Sequence, residues 1–143
     1  MQSFLVRQRD IMAGPEMRRW AELNSRSGVN TWLYFFTRKP PARAGEKPLG
    51  AVHSADIVYF RNTLDTVDRP WTPQDRKLAD LMSSYLINFA TTGDPNGPGL
   101  PHWPVYTTGE VMELGDHAGP IPTPDVRVFD WLDEYVARKN GRQ

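Results

Sequence analysis

Residues 31–60 read TWLYFFTRKPPARAGEKPLGAVHSADIVYF, and this stretch decides the architecture. Trp32, Leu33, Tyr34, Phe35 and Phe36 form one unbroken apolar run. Strict alternation would mean one wet face, whereas a continuous aromatic run predicts a strand, Thr31–Phe36, covered on both sides as in a parallel sheet between helices. A loop rich in Pro40, Pro41, Gly45, Pro48 and Gly50 follows and delivers His53. In open α/β sheets, ligands and catalytic groups sit beyond the carboxyl ends of strands. From His53 a short helical segment is expected through Asp56, Ile57, Phe60 and Arg61.

Working outward, Gly14-Pro15 breaks a weak N-terminal segment, Met1–Ala13, and Pro15 opens a helix to about Ser27. Its stripe would be Met17, Trp20, Ala21 and Asn24, with Gly28 just past its end. Downstream, Thr72, Pro73 and Asp75 make a helix start with a capping box. Leu78, Leu81, Met82, Tyr85, Leu86, Phe89 and Ala90 then fall on one helical face. That helix ends at Gly93-Asp94-Pro95. Val105–Thr107 and Glu110–Leu114 suggest a small hairpin around Thr108-Gly109, Asp116–Pro124 a loop, and Val126–Arg138 a last helix. The fold class is therefore α/β, with one or two core strands, about three main helices and a small hairpin. A strand with two unpaired edges is unstable, so the sheet is incomplete by itself. Either another segment completes it, or the chain self-associates through the Thr31–Phe36 strand.

The 143 residues fit a single segment, 1–143. Seventeen Lys and Arg balance seventeen Asp and Glu, which argues against a nucleic-acid or acidic-membrane partner. The basic loop residues Arg38, Lys39, Arg43 and Lys47 read as a solvated face. With no Cys, thiolate catalysis and Cys-based zinc sites are excluded. No third ligand stands near His53 and Asp56, so no metal is expected, and no phosphate-binding glycine motif implies a cofactor. There is no signal peptide or membrane-length apolar segment, and with Met1 as the true start the chain would be cytoplasmic. The six serines include none in G-x-S-x-G, and Ser54 reads as a helix-start hydroxyl. Among His53, His102 and His117, position favours His53 as the functional one.

Several motifs resemble, in order, the C-terminal part of type-B carboxylesterases, the esterase and cholinesterase family of the α/β-hydrolase fold. Asn30–Phe36 resembles the family's aromatic strand. Gly50-Ala51-Val52-His53 with Asp56 and Phe60 resembles G-A-x-H-x-x-E-x-x-x-F, with Asp in place of Glu. Phe89–Asn96 resembles F-A-x-T-G-D-P-N, and Trp103-Pro104-Val105-Tyr106 resembles W-P-x-Y. The resemblance implies a serine carboxylic-ester hydrolase in which His53 is the triad histidine and general base. Since the triad runs Ser, acid, His along such chains, nucleophile and acid would lie upstream. The expectation is therefore a chain inactive alone, acting on a small-molecule ester when complemented by an N-terminal portion. The alternative is a non-catalytic interaction module.

Overall fold

A computed structural model describes residues 14–48, 50–107 and 109–123, with Glu134 and Arg138. The expected segments Met1–Ala13 and Val126–Arg138 lie outside this range, apart from those two residues. Helix α1 spans Gly14–Arg26, strand β1 Tyr34–Phe36, helix α2 Ile57–Phe60, helix α3 Pro73–Thr92, strand β2 Glu110–Leu114 and strand β3 Ala118–Pro122. A single 3-10 turn, Leu64–Thr66, interrupts the connection before α3.

The strands form one sheet in the order β1-β2-β3. β1 runs parallel to β2, with Tyr34 opposite Met112 and Phe36 opposite Leu114. A parallel pair needs a long crossover, and α2 and α3 supply it. Side chains alternate across a strand, so β1 feeds two cores. Tyr34 and Phe36 join Tyr59, Leu78, Ala79, Met82, Tyr85, Trp103, Met112 and Leu114 beneath α3. Leu33 and Phe35 pack on the other face with Ala21 of α1, Tyr106, Val111 and Ile121. The continuous apolar run is thus explained by helices on both faces.

The hairpin differs from the sequence expectation. β2 turns at Gly115–His117 and pairs with β3 inside the stretch expected to be a loop, Asp116–Pro124. Val105–Thr107 is not its first arm: the Tyr106 N–H donates to the Thr31 carbonyl at 2.8 Å. The prolines that signalled a loop are accommodated by register. The Thr123 N–H donates to the Gly109 carbonyl and the Gly115 N–H to the His117 carbonyl. Bonded pairs therefore fall on odd positions, while Pro120 and Pro122 stand opposite Met112 and Glu110. Their nitrogens point outward, where a missing N–H costs β3 no ladder bond. The same fact makes the outer edge of β3 a poor template for another strand. The expected strand with two unpaired edges is corrected accordingly. One edge of β1 is occupied by β2, and the other borders no strand among the described residues.

Helix α3 starts as its sequence dictates. The Asp75 N–H donates to the Thr72 hydroxyl oxygen at 3.3 Å and the Thr72 N–H donates to the Asp75 carboxylate at 2.9 Å, a reciprocal capping box. It ends at Gly93, whose φ of +80° is open to glycine at little cost. Beyond it, the Asn96 side chain accepts from the Trp103 N–H at 2.7 Å and donates to the Trp103 carbonyl at 3.0 Å. Trp103 in turn donates through Nε1 to the Leu33 carbonyl and meets Tyr34 and Tyr85 edge-on. The two downstream motifs therefore act together, anchoring the end of α3 to β1.

The helical stripes are only partly buried. In α3, Leu78, Met82 and Tyr85 are core, while Leu86 and Phe89 are 44% and 48% exposed. In α1, Ala21 is the only buried side chain among the described residues, and Trp20 is 62% exposed. Among the described residues, no helix is long and apolar enough to cross a membrane.

Candidate active site

The turn that carries His53 is built by the backbone. Gly50 has φ +80°, and the Val52 N–H donates back to its carbonyl. The Ala55 N–H donates to the Val52 carbonyl at 3.1 Å, which closes a four-residue turn with His53 and Ser54 at its centre. Ser54 sits at φ +65°. For a residue with a Cβ that left-handed conformation costs roughly 1–3 kcal/mol and needs surroundings that enforce it. The helix expected from His53 therefore begins only at Ile57, because Ser54 interrupts helical geometry. Ser54 does not cap it: the first turn of α2 has no side-chain cap.

His53 is exposed, and among the described residues no side chain hydrogen-bonds to its ring. The turn itself is held from behind. The Tyr34 hydroxyl, on β1, donates to Asp56 Oδ2 at 2.5 Å. Burial and then the Asp56 carboxylate push the Tyr34 phenol well above its ordinary pKa. Asp56, three residues past the histidine, thus ties its turn to the strand.

A second anchor lies one helical turn further on. Tyr59 is fully buried, and its hydroxyl donates to Asp75 Oδ1 at 2.8 Å. Arg38, just beyond the end of β1, donates through Nε to the same oxygen at 2.7 Å. Its other nitrogens reach the Thr72 hydroxyl at 3.2 Å and the Asp116 carboxylate in the β2–β3 turn. Asp75 Oδ2 accepts from the Thr72 hydroxyl at 2.5 Å. Burial raises the Asp75 pKa, but the bonds from Arg38, Thr72 and Tyr59 outweigh it and bring it from 3.8 down to about 2. Arg38 is correspondingly raised by its bond to Asp75.

Sequence reasoning found Asp75 as a capping residue and missed the cluster. Arg38, expected on a solvated basic loop, has a side chain only 14% exposed. The basic spacing of the loop carries no sign of this, since the partner lies 37 residues away. Arg43 is also engaged, donating to the Asp68 carbonyl at 2.6 Å. The other two histidines lie elsewhere. His102 is exposed, and His117 Nδ1 stands 3.3 Å from Glu113 Oε2 in the hairpin. Glu113 also accepts from the Thr37 hydroxyl at 2.7 Å. No three His, Asp or Glu side chains gather as a metal site among the described residues. A surface cleft of about 260 Å³ lies along α1, lined by Arg18, Arg19, Glu22, Leu23 and Arg26, and does not include His53.

A strand that pairs in parallel between helices, followed by an exposed histidine in a glycine-opened turn, invites comparison with known hydrolases. The sequence model of the carboxylesterase family matches residues 2–123. The chain belongs to the carboxylesterase family. It is 31% identical to the pig liver carboxylesterase over 116 residues, 78% of this chain and 20% of that protein. It is 36% identical to human bile salt-activated lipase over 83 residues, 56% of this chain and 11% of that protein. Among solved structures, an esterase of Clostridium hathewayi that hydrolyses aliphatic aromatic polyesters superposes with a TM-score of 0.65 at 25% identity. That match covers 82% of this chain and 23% of the esterase. Carboxylesterase Est55 of Geobacillus stearothermophilus gives a TM-score of 0.63 at 24% identity, over 81% of this chain and 24% of its own. The chain thus spans about a fifth of the length of the pig liver carboxylesterase. The three-stranded mixed sheet and its helices are a part of the α/β-hydrolase fold.

Proposed function

We propose that this carboxylesterase-family chain contributes the general base of a serine carboxylic-ester hydrolase, and that His53 is that base. The reading is carried by one observation: in a family member, the exposed histidine occupies a turn pinned to the core at Asp56 and Tyr59. In the reaction, the His53 imidazole takes the proton of a serine hydroxyl as it attacks the ester carbonyl, then returns it to the leaving alcohol. Water repeats the sequence on the acyl-enzyme, and a carboxylate on the second ring nitrogen holds the tautomer. Since no serine here lies in G-x-S-x-G, the nucleophile and the acid come from another segment. The edge of β1 that borders no strand among the described residues is where that segment's sheet would join, because Pro120 and Pro122 close the opposite edge. The substrate is a small-molecule carboxylic ester.

The test is complementation. The 143-residue chain is assayed on a short-chain nitrophenyl ester, alone and mixed with the N-terminal portion of the Geobacillus carboxylesterase. The chain alone is expected to be inactive and the assembly active, with activity lost in His53→Ala. Turnover by the isolated chain that disappears in His53→Ala would overturn the division of labour. An active assembly indifferent to His53→Ala would overturn the role of His53.

The same open edge favours a second reading, a non-catalytic interaction module that self-associates through the Thr31–Phe36 strand. It predicts a concentration-dependent dimer in sedimentation experiments that Phe36→Pro dissolves, because the Phe36 N–H points away from β2.

A further inference from the structure

The proposed base has no side-chain support of its own among the described residues, and its turn contains a left-handed serine. Something must hold that backbone. The turn passes directly into α2: the Ile57 N–H donates to the Ser54 carbonyl, and the Tyr59 and Phe60 N–H groups donate to the Asp56 carbonyl. A four-residue helix has too few internal bonds to be rigid alone. Its orientation is fixed by what its side chains meet. Tyr59 is the fully buried one: its ring packs between Phe36 and Trp71, and its hydroxyl ends on Asp75. Asp75 is in turn immobilised by Arg38 and Thr72, which belong to the end of β1 and the start of α3.

We propose that Tyr59, anchored on Asp75 and Arg38, is a positioning residue that, beside the Asp56–Tyr34 bond, fixes the turn carrying His53. The anchored hydroxyl sets the rotation of α2, and α2 holds Ser54 in its left-handed conformation at the carboxyl end of the sheet. The proposal rests on the reading of His53 as the base only for its consequence in catalysis; the geometric claim stands on the cluster.

The decisive measurement is made on the full 143-residue chain. Backbone carbon chemical shifts of Ser54 report whether its φ is positive. Tyr59→Phe removes the hydroxyl and keeps the ring. Tyr85→Phe is the control, because it also deletes a buried hydroxyl bond, to the Pro101 carbonyl at 2.6 Å, but from the far part of α3. Tyr59→Phe should move the Ser54 shifts toward averaged values while Tyr85→Phe leaves them in place. Unchanged Ser54 shifts in Tyr59→Phe, or equal movement in both variants, would overturn the proposal. In the complemented esterase, Tyr59→Phe should lower kcat about tenfold or more with KM unchanged, as misplacement of a base does. If wild-type assembly is inactive, or active without His53, the functional reading fails while the Ser54 shifts still decide the positioning role. If His53→Ala abolishes activity and Tyr59→Phe leaves kcat intact, the positioning role fails alone.

Discussion

The start of α3 and the turn at His53 are neighbours joined through Tyr59, yet they are built on opposite terms. At the start of α3 a carboxylate lies fully buried, and its oxygens are occupied by Arg38, Tyr59 and Thr72. At the turn an imidazole projects into solvent above a strained serine. A buried polar group is tolerated only when its bonds are made, so the first region has one geometry. The second has few contacts of its own and borrows its shape from the first. The role proposed for His53 calls for that arrangement, because a base must be reachable and still aimed.

Substitutions can break this contrast or sharpen it. Asp75→Ala leaves the mostly buried Arg38 with only the exposed Asp116 carboxylate and Tyr59 without its acceptor, and is expected to cost about 3 kcal/mol, read by urea unfolding. A loss no larger than that of a surface substitution would erase the distinction between the two regions. The pH dependence follows from the same residue. The Asp75 pKa in the folded chain, about 2, lies below its ordinary 3.8. Its contribution is therefore fully present above pH 4 and fades as pH falls toward 2, a loss of about 2 kcal/mol. Unfolding midpoints across that range should show the loss in the parent and not in Asp75→Asn. Tyr85→Phe leaves the Pro101 carbonyl without its donor and should cost about 1–2 kcal/mol in the same assay. The smallest effect has the opposite sign. Ser54→Gly relieves the left-handed backbone and should raise stability by up to about 1 kcal/mol in thermal unfolding. A destabilised Ser54→Gly would mean that the turn is not under strain.

Legibility followed range. The α3 capping box, its glycine stop and the two-faced strand were all readable, because each depends on residues within a few positions of one another. The hairpin was misplaced because Pro120 and Pro122 are local loop signals, and only pairing with β2 shows that their nitrogens face outward. Arg38 was misread for a similar reason: nothing near it in the chain reveals that Asp75 waits across the crossover. The exposed apolar residues of α1 also escaped detection, since a stripe says which face prefers burial and not what covers it.

By itself the amino-acid order determined the α/β class and the bounds of the long helix. Those follow from local sterics, capping and hydrophobic period. The tertiary structure alone decided which edge of the sheet is closed, where the second and third strands pair, and that Arg38, Tyr59 and Asp75 meet beneath the turn. Such contacts join residues dozens of positions apart, and their stability comes from burial and mutual satisfaction that exist only once the chain has folded.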